Sequence, residues 1–400
     1  MSDHTMRNAL AADESFSLSA DQIEILDAAD KFAKAELGPL AEKMDAEEWW
    51  PDDVMRKLGA MGYLGVTVPE EYGGTGLDIW TAGLITQAFS RHNHAVALSW
   101  LAHDNLCVNN IYANGDEEQR KRFLPKLCSG EWTGALGLTE PGAGSDALGS
   151  MSTTAVKEGD EYVLNGTKIF ITNGPVADVI LVYAKTDKAA GAKGISAFVV
   201  PTDTPGFKVA QKLTKMGFRG SQTGELVFDN CRVPAANRLR GENEGVRVVM
   251  SGLDLERAVV APICLGVAER ALELSIDYAR TREQFGQPIA KFQMVQAKIA
   301  DMYVWVETLR TFNNRVLAAC NQVGHGEAGH GEIHMLTAAS IKYAADTMNK
   351  VLNEAMQIHG GSGYIWESEI NRLYRSIKLL EIGAGTTEVR NLIIAGELLK

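Results

Sequence analysis

Three glycine-rich turns and one arginine corner hold the groups in this sequence best suited to an anionic or flat ligand. Leu138-Thr139-Glu140-Pro141-Gly142-Ala143-Gly144-Ser145-Asp146 combines a turn-setting proline with two glycines that let backbone N–H groups approach a ligand, and adds the hydroxyls of Thr139 and Ser145. It lacks the GxGxxG spacing that opens a helix in a dinucleotide fold. Taken alone it reads as a surface turn. Phe170-Ile171-Thr172-Asn173-Gly174 sets an aromatic ring near a hydroxyl, able to pack on a flat ring and hydrogen-bond it, or simply to fill a β core. Arg282, within Tyr278-Ala279-Arg280-Thr281-Arg282-Glu283-Gln284-Phe285-Gly286, could grip phosphate oxygens with both arms of its guanidinium or sit in a surface ion pair. Gln357-Ile358-His359-Gly360-Gly361-Ser362-Gly363-Tyr364 has the glycines a helix C-cap wants. Glu381-Ile382-Gly383-Ala384-Gly385-Thr386-Thr387-Glu388 is a small-residue loop before a last helix, and its N–H groups could hold an oxyanion or a carbonyl.

The elements that must position these turns change character twice along the chain. Residues 1–18 read as a loose polar lead, and 19–132 as helical. Ser19 and Gln22 make a capping-box pattern ahead of Ile25, Leu26, Ala29, Phe32, Ala33 and Leu37. Gly38-Pro39 interrupts that helix, Tyr72–Gly76 is a loop, and Ala82–Ser90 and Glu117–Phe123 return to helical spacing. Trp49-Trp50-Pro51 reads as a helix end packed on the core. From 133 to 245 short β-rich runs alternate with turns. Asn165-Gly166 between Tyr162–Leu164 and Lys168–Thr172 predicts a tight hairpin. Val179–Ala184, Ile195–Val200 and Leu226–Val233 predict further strands without long helices between them, hence an antiparallel β unit. From 246 to 400 the long periodic segments Val248–Thr281, Phe292–Asn321 and Glu332–His359 predict an antiparallel helical bundle. The fold class expected is α+β, in the order helical, β, helical.

Composition narrows the classes of function. A chain of 400 residues with net charge −12 lacks the basic balance of a general nucleic-acid binder. No apolar run reaches the roughly 18 residues of a membrane span. The first residues have no apolar signal core and carry Asp3, Asp13 and Glu14, which predicts a cytoplasmic protein. Cys107, Cys128, Cys231, Cys264 and Cys320 have no CxxC spacing, so buried thiols in a reducing compartment are expected. His330 and His334 stand at i, i+4 near His325, a spacing that zinc can use. The surrounding glycines read instead as a helix connection with solvated histidines, and no metal site is expected.

LTEPGAGSD, FITNG, TREQFG, QIHGGSGY and GAGTTE, in this order on a helical–β–helical frame, closely resemble the acyl-CoA dehydrogenase family, from about Leu18 to Leu399. The resemblance implies an N-terminal helical domain, a middle β domain and a C-terminal four-helix domain, assembled as a homotetramer, a dimer of dimers. It implies FAD held by Leu136, Leu138, Thr139, Gly144 and Ser145, with Phe170, Ile171 and Thr172 at the isoalloxazine ring. Arg282, Gln284, Phe285, Gln293 and the turn Gln357, Gly360 and Gly361 would reach the FAD of a neighbouring subunit, and Thr386 and Glu388 would complete the site. It further implies an acyl-CoA substrate touched by Ser145 and an electron-transfer flavoprotein as acceptor.

Most members of that family carry their catalytic base in the loop that here reads Gly383-Ala384-Gly385-Thr386, and Ala384 cannot take a proton. Ser251-Gly252-Leu253-Asp254-Leu255-Glu256-Arg257 resembles the isovaleryl-CoA dehydrogenase branch, in which the base sits on this helix and is here Glu256. The bland alternative for Glu256 is a solvated helix carboxylate. Asp254 and Arg257 would hold the CoA side of the ester, and Ala384 and Gly385 would present a backbone N–H to the carbonyl oxygen. Arg247 and Pro262 depart from the branch, which puts an aromatic at the first position. Arg247 could favour a polar or anionic acyl group, or pair with a CoA phosphate. The expected reaction is α,β-dehydrogenation of a short or branched acyl-CoA. The alternative is an oxidase or oxygenase of the same fold in a biosynthetic pathway.

Overall fold

Ser19 and Gln22 exchange side-chain-to-backbone hydrogen bonds of 3.2 and 3.0 Å, and helix α1 (Ala20–Phe32) starts on them. The computed structural model describes residues 17–322 and 331–400. Most of the N-terminal lead, together with His325 and His330, lies outside the described residues. After α1 the chain passes through a π turn (Ala33–Leu37) and a 3-10 turn at Gly38–Leu40, so Gly38-Pro39 tightens the helix before α2 (Ala41–Glu47). Helices α3 (Val54–Ala60), α4 (Ile79–Leu101), α5 (Asn109–Asn114) and α6 (Glu117–Cys128) follow. Helix α4 is buried almost all round and forms the axis of this part, with its buried Arg91 paired to Asp30 and Glu273. Trp50 packs into the main apolar cluster, as its position after α2 predicts.

Eight strands come next: β1 (Gly134–Gly137), β2 (Thr154–Glu158), β3 (Glu161–Thr172), β4 (Val179–Lys185), β5 (Ile195–Pro201), β6 (Phe207–Lys212), β7 (Thr223–Pro234) and β8 (Arg238–Leu239). The sheet runs β6-β7-β3-β2-β4-β5-β8, with β1 paired to β4. Two expectations are corrected here. The sheet is mixed, because β1 lies parallel to β4 and β2 meets β4 in parallel at Thr154 and Lys185. Asn165-Gly166 is no hairpin turn, since β3 runs straight through it against β7 with a register shift between Leu164 and Gly166. The Asn165 side chain accepts from the Asn230 N–H at 2.8 Å, and a Cβ on Gly166 would meet Thr153 Oγ1 at 2.4 Å. The dipeptide therefore serves a bulge and a close approach. The true hairpin joins β2 to β3 through Gly159-Asp160, where Gly159 takes φ +63.

The remaining described residues are mainly helical. Helix α7 (Gly245–Thr281) ends in a small ribbon of β9 (Glu283–Gln284) and β10 (Gln287–Pro288). Helices α8 (Gln293–Asn321), α9 (Gly331–His359), α10 (Gly361–Tyr364), α11 (Glu369–Ile382) and α12 (Thr387–Leu398) complete it. Helix α7 packs on α4 and α9, and this contact joins the first and last parts into one apolar cluster. A second cluster fills the space between the sheet, α5, α6 and the first turns of α7. The five cysteines are free and buried. Among the described residues no helix is long and apolar enough to cross a membrane, and no group of three or more metal-type ligands comes together.

Candidate active site

The first turns of α7 are pressed between the sheet and α5. A Cβ on Gly252 would meet the Asn110 amide at 2.3 Å, so this crossing needs glycine. Asn114 donates to Ser251 Oγ at 3.3 Å across the same contact. The packing turns Glu256 inward and leaves it 7% exposed. Burial pushes its carboxyl up to about 7, against the pull of the Arg257 and Arg390 guanidiniums. It is therefore no solvated helix carboxylate. A buried carboxyl balanced near neutral pH is suited to taking a proton from a weak carbon acid.

Arg257 lies behind the loop that ends α11. Its Nε donates to the Ala384 carbonyl at 3.3 Å, and one of its terminal nitrogens donates to Asp254 Oδ1 at 3.0 Å. Asp254 is fully buried, and the same oxygen accepts from His334 Nδ1 at 2.7 Å. Asp254, expected to hold the CoA side of the ester with Arg257, pairs with that guanidinium at i, i+3. The expectation of a solvated His334 is corrected, since it is 7% exposed and hydrogen-bonded. Arg390, one turn into α12, is fully buried and donates to the Gly383 carbonyl, while its Nε and other terminal nitrogen have no partner among the described residues. Ala384 sits at φ +56 and Gly385 at φ +86, so the loop turns left-handed between the two guanidiniums. Thr386 then caps α12 by accepting from the Val389 N–H at 3.3 Å, with Glu388 exposed in the first turn.

The glycine turn after β1 is braced from below. Glu140 accepts from the Ser152 N–H at 2.6 Å, the Thr153 N–H at 3.0 Å and Lys168 Nζ at 2.8 Å. Lys168 also donates to the Leu138 carbonyl at 3.1 Å. Burial raises the Glu140 carboxyl, but Lys168 and the Ser152 and Thr153 donors outweigh it and hold it at about 2. Burial draws Lys168 down to about 8 against the pull of Glu140. Above this brace a Cβ on Gly142 or Gly144 would meet nothing within 4 Å. Leu136, Leu138 and Thr139 are half-buried, and Ser145 is exposed. Phe170 stands 65% exposed at φ +61, beside buried Ile171 and half-buried Thr172. An open glycine backbone, joined to the strand of this exposed ring where the Ile169 N–H donates to the Thr139 carbonyl at 2.9 Å, fits a flat, hydrogen-bonding group such as FAD.

The remaining candidates lie elsewhere. Arg282, Gln284, Phe285, Gln293, Gln357, Gly360 and Gly361 are all exposed. They gather where Tyr278 stacks on His359 at 4.5 Å and donates to Ser362 Oγ at 3.2 Å. Arg282 follows Glu256 by 26 positions (282 − 256), about 39 Å of helix at 1.5 Å per residue. Arg247 lies in the first turn of α7, its side chain 62% exposed and 3.8 Å from Glu244. Pro262 is buried within α7, which continues through it. Sequence reasoning missed Arg390 and the Lys168–Glu140 pair, because only the fold reveals that these charges are interior.

Comparison with known proteins covers nearly the whole chain. Residues 19–131 match the acyl-CoA dehydrogenase N-terminal domain, 135–231 the middle domain and 243–399 the C-terminal domain. The chain is 45% identical over 381 residues to the mitochondrial isovaleryl-CoA dehydrogenase of Pongo abelii, covering 94% of this chain and 88% of that protein. Butyryl-CoA dehydrogenase from Megasphaera elsdenii superposes with a TM-score of 0.91 at 37% identity, over 96% of this chain and 99% of that one. PigA, solved with FAD and proline, superposes with a TM-score of 0.90 at 29% identity, over 96% and 98%. The chain belongs to the acyl-CoA dehydrogenase family, oxidoreductases acting on CH–CH groups.

Proposed function

We propose that this chain dehydrogenates a short or branched acyl-CoA, with Glu256 removing the α-proton. The observation that carries the reading is the pairing of a buried, near-neutral Glu256 with an Ala384 that cannot accept a proton. The thioester carbonyl lies against the 383–385 turn, whose N–H groups take up charge as the proton leaves. Excluding water around Glu256 makes its carboxylate a stronger base than a solvated one. Bound FAD would supply the acceptor for the hydride leaving the β-carbon. The Leu136–Ser145 segment, Phe170, Ile171 and Thr172 would hold the ring of that cofactor, and Thr386 and Glu388 would complete its site.

Arg282, Gln284, Phe285, Gln293, Gln357, Gly360 and Gly361 are all exposed and would serve the FAD of a second subunit in a homotetramer. The exposure of Arg247 suits a CoA phosphate at the mouth better than an acyl group in the depth. Similarity to isovaleryl-CoA dehydrogenase supports a branched short chain, and the proposed electron acceptor is an electron-transfer flavoprotein.

The test is anaerobic mixing with isovaleryl-, isobutyryl-, butyryl-, longer and dicarboxylic CoA esters. Isovaleryl-CoA is expected to bleach the flavin of the wild type fastest. Glu256→Gln is expected to keep FAD yet lose bleaching by about 100-fold or more, in line with removal of a general base. Full bleaching in that variant would remove Glu256 from the mechanism.

A further inference from the structure

We propose that His334 is a positioning residue for proton removal, acting through Asp254 and Arg257 on the turn at Ala384 and Gly385. The inference rests on the reading that this turn faces the thioester carbonyl.

The connection is continuous. His334 Nδ1–H donates to Asp254 Oδ1 at 2.7 Å, that oxygen accepts from Arg257 at 3.0 Å, and Arg257 Nε donates to the Ala384 carbonyl at 3.3 Å. Every side chain in it is buried: His334 is 7%, Asp254 0% and Arg257 4% exposed. Three separate elements are linked, since His334 opens α9, Asp254 and Arg257 lie on α7, and Ala384 follows α11.

Peptide geometry converts this support into aim. In a trans peptide the carbonyl of one residue and the N–H of the next point in opposite directions. Arg257 holds the Ala384 carbonyl and Arg390 holds the Gly383 carbonyl. The Gly385 N–H is therefore turned away from Arg257 and the Ala384 N–H away from Arg390, and neither makes a hydrogen bond among the described residues. The turn is not self-supporting, because Ala384 occupies φ +56, a region a side chain disfavours. The guanidinium that holds it is oriented by its pairing with Asp254, and His334 binds the same Asp254 oxygen.

The test compares His334→Leu, which deletes the donor, with His334→Asn, whose amide nitrogen can replace Nδ1. The full-length, FAD-loaded enzyme is mixed anaerobically with isovaleryl-CoA. Loss of aim predicts that the limiting bleaching rate of His334→Leu falls about tenfold or more, while KM moves less than about threefold. FAD content and affinity for the enoyl-CoA product should stay as in the wild type, and His334→Asn should recover most of the rate. Hydrogen–deuterium exchange of the 380–390 segment gives a readout without turnover, and it should quicken in His334→Leu but not in His334→Asn. Wild-type bleaching and exchange in His334→Leu would overturn the inference, as would a folded His334→Asn as slow as His334→Leu. A wild type that no acyl-CoA bleaches would sink the proposed reaction instead, and the exchange comparison would still decide whether His334 holds the turn.

Discussion

Glu256 carries a stability cost that depends on pH, and the sign of that cost is fixed by its environment. Its carboxyl is pushed from 4.5 up to about 7, first by burial. Unfolded, it ionises at the lower value, so between 4.5 and about 7 the folded state keeps a proton that the unfolded state has lost. Stability therefore falls as pH rises through that window, and the loss is complete above it. The distance from 4.5 to about 7 corresponds to about 3 kcal/mol. Glu256→Gln removes the charge, so its advantage over the wild type should grow from pH 5.5 to pH 8.5. Thermal melts across that range check this, and an advantage that shrinks with rising pH would contradict the burial. The chemical types at Glu256 and Ala384 were legible in the sequence because one can take a proton and the other cannot. The partnership of His334 with Asp254 was not legible, because 80 positions separate them and no periodicity links an interior contact between two helices.

Strands β1 and β3 owe their relation to the site to one buried ion pair. Lys168 is fully buried on β3, and Glu140 ties it to the turn that follows β1. Lys168→Met would leave Glu140 buried without its counter-charge, a change that typically costs about 3–5 kcal/mol. The expected result is a lower melting temperature and weaker FAD retention, because Leu138 loses the same lysine from its carbonyl. Adding Glu140→Gln should recover part of the loss, since both charges are then gone. A double variant worse than the single one, by the sum of two independent defects, would show that the pair is not coupled. At this scale the helical and β identities were readable from periodicity, whereas pairing was not. Asn165-Gly166 has the composition of a hairpin turn, yet Thr153 crowds Gly166 and β7 pairs along both sides of the dipeptide. Tertiary contact overrode a local turn preference. The parallel pairing of β1 and β4 likewise depends on how a long connection folds back, which no alternation of residues encodes.

Taken as one body, the chain shows apolar surface where a lone monomer should not. Phe285 is 93% exposed, Tyr364 83%, Met294 80% and Leu392 73%. Scattered single apolar residues need no partner, but Phe285 adjoins Phe292 at 6.1 Å and lies among the residues proposed to serve a neighbouring FAD. Trp366 is a different case, because Arg219 and Arg375 cover its ring at 5.3 and 3.9 Å within the chain. The proposed homotetramer accounts for Phe285 and for the separation between the Arg282 corner and Glu256 together. Sedimentation should give four times the 43.4 kDa chain mass. Phe285→Asp places a charge where an apolar contact is expected, a loss on the order of 2 kcal/mol or more per copy at an interface centre. Because the same corner is proposed to serve the cofactor, that variant should shift to smaller species and release FAD in parallel, read from the flavin absorbance of each sedimenting fraction. A variant that dissociates while keeping all its FAD would separate the two roles and leave the cofactor wholly within one chain.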